Sequence, residues 1–246
     1  MFAHPLSASV HNFSHGTAVF VTRTPNEIVV AADSRSVKLD GSPDSEPVCK
    51  IRWFSNAYVV VNGMSQDAST GYDVLSLLKE AGEQKGLLAD KIATFERLVK
   101  RPLEKALTRL KRDEPRVFQR NVIEIGPLGV NFFGVEQGVL VFYHRRFVVS
   151  PSPNNDVSVY IERHDCPGVD CPDGVAYILV GTDEFKKSFE REKLNFMQGD
   201  LVKAARQFVQ MHIDAQVVDV GPPIDILRIK KNGPQWIKRK PECEDK

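Results

Sequence analysis

Thr17 and Asp33 are two side chains near the start of the chain whose types and positions could do chemistry together. Residues 18–22 and 28–32 are rich in β-branched and apolar side chains and are separated by turn-forming residues, which predicts a β-hairpin. Antiparallel pairing about that turn brings the outer ends of the two strands to the same edge of a sheet. The sequence therefore predicts that a threonine hydroxyl, directly after Gly16, lies beside a carboxylate.

Four short motifs extend this pattern through the first quarter of the chain. They are Gly16-Thr17, Ala31-Ala32-Asp33-Ser34-Arg35, Cys49-Lys50-Ile51 and Asn62-Gly63-Met64-Ser65-Gln66-Asp67. In order and spacing they resemble the opening of the proteasome-like family of N-terminal-nucleophile hydrolases. In that family, autocleavage after a glycine frees a threonine that is both the nucleophile and, through its new α-amine, the general base.

The resemblance implies a role for each of these residues. A threonine hydroxyl is a poor nucleophile without a nearby base, and the α-amine freed by cleavage after Gly16, with a reference pKa of about 8, would accept its proton. Lys50, paired with Asp33, would favour the deprotonated hydroxyl of Thr17 through its positive charge. The backbone amide of Gly63 would donate to the oxyanion, a contribution of roughly 3 kcal/mol. The resemblance further implies that Ser65 and Gln66 form a polar wall of the substrate-binding site. It also implies that Asp67 and Thr182 are supporting residues.

Some positions depart from the pattern of active family members. Those members carry a supporting aspartate and serine next to the threonine, and the closest matches here are Val217 and Val220, whose side chains form no hydrogen bonds. Asp219 lies between them and would replace them only with a shift of register. Two alternatives therefore stand beside the hydrolase. One is a non-catalytic, proteasome-subunit-like scaffold protein with an uncleaved N-terminus, and the other is a monomeric or dimeric amidase unrelated to proteolysis.

The order of the predicted elements favours an α+β fold. Four strands precede two helices, at 67–83 and 88–111, and further strands, one of them at 121–125, lead to helices at 184–193 and 200–215 and a closing antiparallel pair. Blocks of strands that alternate with blocks of helices are typical of antiparallel sheets covered by helices. The resemblance implies the finer arrangement, a four-layer αββα sandwich of two antiparallel sheets covered by helix pairs.

We expect a single proteasome-like hydrolase domain over residues 17–237. Residues 1–16 show no hydrophobic periodicity and predict a propeptide or flexible arm that ends at Gly16. Residues 238–246 are mostly charged and predict a frayed tail.

The composition is that of a globular protein. The chain has 246 residues, of which 42% are hydrophobic, and a formal charge of +1, so it can bury one substantial core and implies no nucleic-acid partner. It contains neither a run of about 18 apolar residues nor a signal peptide, so we expect a cytoplasmic protein that does not contact a membrane. We expect no cofactor, a peptide or amide substrate and, by resemblance only, a homo-oligomeric ring.

The four cysteines, Cys49, Cys166, Cys171 and Cys243, are too few and too scattered to predict a disulfide framework. Cys166 and Cys171 lie close together in the sequence and near His164, which makes a metal clip a minor alternative. A structural zinc site normally needs four ligands. We therefore expect no bound metal and a loop with incidental thiols.

Overall fold

The computed structural model describes residues 11–14, 17–37, 48–150, 156–169, 171–191 and 199–243. Gly16, the predicted cleavage position, lies outside the described residues, as do most of the predicted arm and the end of the charged tail.

The described residues form twelve strands, five α-helices and one π-helical segment. The strands are β1 (His11–Ser14), β2 (Val19–Arg23), β3 (Glu27–Ala32), β4 (Ile51–Phe54), β5 (Ala57–Asp67), β6 (Tyr72–Asp73), β7 (Leu128–Glu136), β8 (Val139–Ser150), β9 (Ser158–Cys166), β10 (Ala176–Val180), β11 (Asp225–Lys230) and β12 (Gly233–Lys238). The helices are α1 (Val74–Gly82), α2 (Leu88–Asp113), α3 (Pro115–Phe118), α4 (Asp183–Arg191) and α5 (Leu201–Asp214), and the π-helical segment is Gln119–Glu124.

The strands form two antiparallel sheets, so the fold is α+β as predicted. The first sheet has the order β1-β5-β7-β8-β9, and β4 and β6 also pair with β5. The second sheet has the order β10-β2-β3-β11-β12. The predicted hairpin is confirmed in the second sheet, where Val19 of β2 lies opposite Ala32 of β3.

Three clusters of buried side chains hold these elements together. One joins the first sheet to α1 and α2, and another joins the second sheet to α4 and α5. The third draws side chains from both sheets, including Val21, Val60 and Phe133. Strand β2 contributes to two of these clusters, Val21 to one and Phe20 to the other. A strand whose two faces are both buried has an uninterrupted apolar sequence, which explains the composition of residues 18–22.

Part of the predicted flexible arm is ordered. Strand β1 pairs antiparallel with β5, so that His11 lies opposite Asp67 and Ser14 lies opposite Gly63. Main-chain pairing of this kind makes little demand on side-chain type, which is why the sequence of the arm gave no sign of it.

One predicted strand and the predicted start of one helix are wrong. Residues 121–125 were expected to form a strand but lie at the end of the π-helical segment and just beyond it. Helix α1 begins at Val74 rather than at Asp67, because the side chain of Asp73 caps it by accepting from the backbone N–H groups of Leu75 and Ser76. A β-branched run such as Asn121–Ile125 carries only a weak preference for strand, and local packing overrides it.

The prediction of incidental thiols is also wrong. Cys49 forms a disulfide with Cys243, and Cys166 forms one with Cys171. The first joins positions 194 residues apart, which no spacing pattern in the sequence reveals. It also holds residues 239–243, part of the tail that was expected to be frayed. Among the described residues, no helix is long and apolar enough to cross a bilayer.

A buried histidine makes the stability of the fold depend on pH. Nδ1 of His144 in β8 lies 2.8 Å from Oδ1 of Asn131 in β7. The pKa of His144 is lowered from 6.5 to about 4, mainly by burial. The nearby positive charges of His164, Arg146 and Arg145 contribute to the same decrease. In the unfolded chain the same imidazole takes up a proton near pH 6.5.

We therefore expect the free energy of unfolding to fall as the pH drops from 6.5 towards 4, because the unfolded chain then binds a proton that the folded chain does not. The pKa difference corresponds to roughly 3 kcal/mol. In a His144→Asn variant, which keeps a donor near Asn131, this part of the pH dependence should disappear in denaturant titrations. A variant of the exposed neighbour, His164→Gln, should retain most of it, and identical pH slopes for His144→Asn and the wild type would contradict the assignment.

Candidate active site

Thr17 and Asp33 lie at the adjoining ends of the hairpin, as the hairpin geometry requires. The backbone N–H of Asp33 donates to the carbonyl oxygen of Ala18 at 3.1 Å, and the N–H of Ala18 donates to Oδ1 of Asp33 at 3.0 Å. Both functional side chains belong to buried residues, with 2% of Thr17 and 0% of Asp33 exposed. Main-chain pairing therefore continues beyond β2 and β3 and fixes the position of the carboxylate.

Lys50 bridges these two residues. Its Nζ lies 2.6 Å from Oδ1 of Asp33 and donates to Oγ1 of Thr17 at 3.0 Å. Burial lowers the pKa of Lys50, and the charge of Asp33 and its hydrogen bond oppose that effect. An ammonium that donates to a hydroxyl oxygen stabilises the negative charge that develops when the hydroxyl loses its proton.

The carboxylate of Asp33 accepts four hydrogen bonds. Oδ1 accepts from Ala18 and Lys50, and Oδ2 accepts from the backbone N–H groups of Arg35 at 2.9 Å and Gly221 at 3.1 Å. The donor at position 221 comes from the loop before β11, far away in the sequence. Arg35 packs so closely on Gly221 that a Cβ there would lie 2.6 Å from the guanidinium Nε. A small residue at position 221 lets this loop approach the carboxylate.

Gly63 lies in β5, next to strand β1, which precedes Thr17 in the chain. It faces Ser14 of β1 on one side and Leu128 of β7 on the other. Ser14 is three residues before Thr17, a span of at most about 10 Å. Gly63 has φ +95°, and a Cβ at this position would lie 2.5 Å from the carbonyl oxygen of Pro127. Both the backbone conformation and the available space therefore require glycine.

We expect Gly63→Ala to destabilise the protein by more than about 1 kcal/mol, because alanine is strained at positive φ and also meets the backbone of Pro127. Gly138→Ala is the matched control, since Gly138 has φ +78° with nothing within 4 Å of an added Cβ. The difference between the two variants in denaturant titrations isolates the steric overlap. Equal losses would mean that the close approach of Pro127 costs nothing.

The predicted wall residues line a cavity next to the lysine. Ser65 and Gln66 border a space of about 190 Å³ that also has Lys50, Arg52 and Asp73 in its wall. The cavity is therefore small, and its wall mixes polar side chains with apolar ones such as Val61 and Leu75. The structure places both predicted wall residues on the same cavity as Lys50.

Asp67 is buried at the far end of β5 and organises a turn. Its carboxylate accepts from the backbone N–H of Ser69 at 3.0 Å and from the hydroxyls of Ser69 and Thr70, and it lies 3.4 Å from Nη1 of Arg109 in α2. Four residues of extended strand separate it from Gly63, a distance of about 13 Å. Asp67 therefore supports the strand that carries Gly63 and does not belong to the cluster around Thr17.

Thr182 follows β10 at the edge of the second sheet where Thr17 precedes β2. Val180 at the end of β10 is opposite Val19 at the start of β2. Thr182 and Thr17 are each two residues beyond this last pair, at the same edge of the sheet. The hydroxyl of Thr182 is buried and has no hydrogen-bond partner within the described part of the chain.

His212 in α5 contacts Thr182, and the sequence did not predict this contact. The backbone N–H of Thr182 donates to its Nε2 at 3.2 Å, and its Nδ1 lies 2.9 Å from the carbonyl oxygen of Phe208, which assigns the proton to Nδ1. Burial lowers the pKa of His212. A Cβ on Gly181 would overlap this ring. A histidine on an otherwise amphipathic helix gives no sequence signal of such a contact.

The two valines at the supporting positions do not contribute polar groups. Val220 is buried in the cluster between the second sheet and its helices, and Val217 packs against that cluster. Asp219, between them, is only partly exposed, and its charge raises the pKa of Lys50 and of His212.

The arrangement as a whole places an ammonium within hydrogen-bonding distance of both a hydroxyl and a carboxylate in a buried site. Such a set favours a nucleophilic alkoxide and leaves the removal of its proton to a further base. No model of a known protein family matches the chain, and no curated protein matches it. The argument for an activity therefore depends on these contacts.

Proposed function

We propose that the protein is a self-processing threonine hydrolase that cleaves peptide or amide bonds by acyl transfer to Thr17. The observation that carries this proposal is the position of Lys50, whose Nζ contacts both Oγ1 of Thr17 at 3.0 Å and Oδ1 of Asp33 at 2.6 Å. Burial of a lysine ammonium has a large desolvation cost, even when a carboxylate pairs with it. Buried charged groups with perturbed pKa values cluster at functional sites, and this one is directed at a hydroxyl.

Processing requires that the hydroxyl of Thr17 attack the carbonyl carbon of Gly16. The peptide nitrogen of Thr17 leaves as the new α-amine, and residue 16 is held for a time as an ester on Oγ1. Water then hydrolyses the ester, which releases a carboxylate on residue 16. The mature chain begins with a threonine whose amine and hydroxyl are adjacent.

Substrate hydrolysis repeats the same acyl transfer with the new amine as the base. The α-amine takes the hydroxyl proton while Oγ1 attacks the substrate carbonyl, and the ammonium of Lys50 stabilises the attacking oxygen. The backbone N–H of Gly63 donates to the oxyanion of the tetrahedral intermediate. The amine then gives the proton to the leaving nitrogen, and water hydrolyses the acyl-threonine ester.

The pairing of β1 supports a peptide as the substrate. This strand occupies the edge of β5 between Gly63 and Asp67, antiparallel to it. Cleavage after residue 16 would separate it from the rest of the chain. An extended peptide could then take the same place by adding a strand to the sheet, with Ser65 and Gln66 beside it.

The layering of the fold supports the same proposal. One buried cluster draws on both sheets, and each sheet shares another cluster with a different pair of helices. This distribution is what a four-layer αββα sandwich requires, with the site at the edge where the two sheets meet. Assembly into a homo-oligomeric ring is part of the proposal on resemblance alone.

A non-catalytic scaffold protein is the second candidate. The valines at positions 217 and 220 favour it, because they supply no polar side chain to the threonine. In this case the arm that includes β1 stays attached and keeps the edge of β5 covered.

Intact mass spectrometry and N-terminal sequencing of the purified protein separate the two candidates. The hydrolase is expected to yield a chain that begins at Thr17 and that releases the fluorophore from short fluorogenic peptides. The scaffold is expected to keep residues 1–16 and to release none. Size-exclusion chromatography with light scattering on the same sample measures whether a ring forms in either case.

A further inference from the structure

Lys240 is a second buried lysine behind the proposed active site. Only 3% of it is exposed, although lysine is among the residues that are least often buried. Its Nζ lies 3.0 Å from Oδ2 of Asp225 and donates to Oγ of Ser34 at 2.6 Å and to the carbonyl oxygen of Val48. Its backbone N–H donates to Oδ1 of Asp225 at 2.9 Å. The ammonium is therefore held by three separate segments of the chain.

Two of these segments carry the ion pair next to Thr17. Ser34 directly follows Asp33, and Val48 is two residues before Lys50. The N–H of Val48 also donates to the carbonyl oxygen of Ser34 at 2.8 Å, so the segments are paired at this point. Lys240 reinforces that pairing, because its ammonium donates to both Ser34 and Val48.

A covalent bond fixes the same contact. Cys243 forms a disulfide with Cys49, the residue directly before Lys50. The N–H of Cys243 donates to the carbonyl oxygen of Lys240 at 3.1 Å, which makes a turn of residues 240–243. The end of the described chain is thus attached next to the lysine that contacts the hydroxyl.

We propose that Lys240 and the Cys49–Cys243 disulfide, which together we call the clamp, are positioning elements of the active site. Hydrolysis then depends on the disulfide being oxidised, so that residues 240–243 stay attached next to Lys50. The inference deepens the proposed function and rests on it, because it assumes that Lys50 acts on Thr17. A displacement of about 1 Å in a catalytic group can reduce a rate by about 100-fold. A dithiol reductant in excess transfers two electrons and two protons to the disulfide, which gives two thiols while the dithiol becomes a cyclic disulfide, so the bond can be opened reversibly.

The charge of Lys240 also acts on Lys50. The charged groups that affect Lys50 are Asp33 and Asp219, which raise its pKa, and Lys240, which lowers it in addition to the larger effect of burial. Removal of the positive charge at position 240 should therefore raise the pKa of Lys50. A role limited to holding the fold together would leave that pKa unchanged.

The first test compares two disulfides in the same chain. Cys49→Ser with Cys243→Ser is expected to lower kcat by at least about 10-fold with KM within about twofold, since the substrate wall remains. It should also speed hydrogen exchange in peptides that cover 33–37 and 48–54. The matched control, Cys166→Ser with Cys171→Ser, removes a disulfide at the end of β9 and should change neither quantity. Wild-type kcat and wild-type exchange in the first variant would overturn the proposal.

The second test changes the charge. The single variant Lys240→Met leaves the carboxylate of Asp225 buried without its cation. A double variant, Lys240→Met with Asp225→Asn, removes both charges and is measured beside it. In both variants the alkaline limb of the pH–kcat profile, where Lys50 loses its proton, should move to higher pH. Lys238→Met, an exposed position two residues earlier, should leave the limb in place. An unshifted limb in both buried variants would contradict the role given to Lys240.

The outcomes also separate this inference from the proposed function. If the wild-type protein neither cleaves itself nor hydrolyses peptides, the proposed function fails, and with it the part played by Lys240 in catalysis. Hydrogen exchange still decides whether the clamp orders the segments at 33–37 and 48–54, because it needs no activity. If the wild type is active and the Cys49–Cys243 variant is equally active, this inference alone fails.

Discussion

Replacement of Thr17 by alanine is expected to leave the chain uncleaved and to lower peptide hydrolysis by at least about 1,000-fold, the scale seen when a nucleophile is removed. The reason is that Oγ1 of Thr17 accepts a hydrogen bond from Lys50 and is the atom that attacks the carbonyl of the amide bond to be cleaved. Intact mass gives the processing result and fluorogenic peptides give the rate. The methyl group of alanine fits the buried site without new polar atoms, so the variant should fold.

Thr17→Ser is the matched control for this experiment. Serine keeps the hydroxyl and loses only a methyl group, so the variant should still cleave itself and hydrolyse peptides, at a reduced rate. Cleavage after residue 16 in the alanine variant would show that another residue or another protease does the processing. Full hydrolysis by the alanine variant would remove Thr17 from the mechanism altogether.

Replacement of Lys50 by methionine is expected to abolish processing and also to destabilise the fold by roughly 3–5 kcal/mol, because it leaves the carboxylate of Asp33 buried without its cation. Methionine is close to lysine in length, so the loss reflects charge more than packing. Denaturant titration measures the free energy of unfolding, and intact mass measures processing of the folded fraction.

Lys100→Met is the control for the same chemical change at an exposed site on α2, and it should alter neither quantity. Lys50→Arg tests the charge separately: it keeps a cation near Asp33, so stability should largely return, while the bulkier guanidinium displaces the donor from Oγ1 of Thr17. Processing and hydrolysis at more than about one tenth of the wild-type rate in folded Lys50→Met would show that the ammonium is not needed.

The disulfides bear on where such a protein can work. Both described disulfides require oxidising conditions to persist, and these are more typical of extracytoplasmic compartments than of the cytoplasm. The expected cytoplasmic location stays a prediction. Alkylation of free thiols before and after reduction, with the protein taken directly from its source, would measure the state of the Cys49–Cys243 bond in place.

Several parts of the site could be predicted from the sequence because their determinants are local. The hairpin follows from two runs of β-branched and apolar residues on either side of a turn, and antiparallel pairing of these strands brings Asp33 to Thr17. The position of Lys50 came from a resemblance in motif order, and the structure brings it to the hydroxyl and the carboxylate.

The sequence by itself determined the α+β class and the hairpin that brings Asp33 to Thr17, since periodicity and turn chemistry act over a few residues. Only the tertiary structure decided what surrounds these two residues: Gly221 on the carboxylate, His212 beside Thr182, and Lys240 with the Cys49–Cys243 bond behind Lys50. Each of these contacts joins positions at least 30 residues apart. Their partners are chosen by how the sheets and helices pack, and a single sequence carries no local record of that choice.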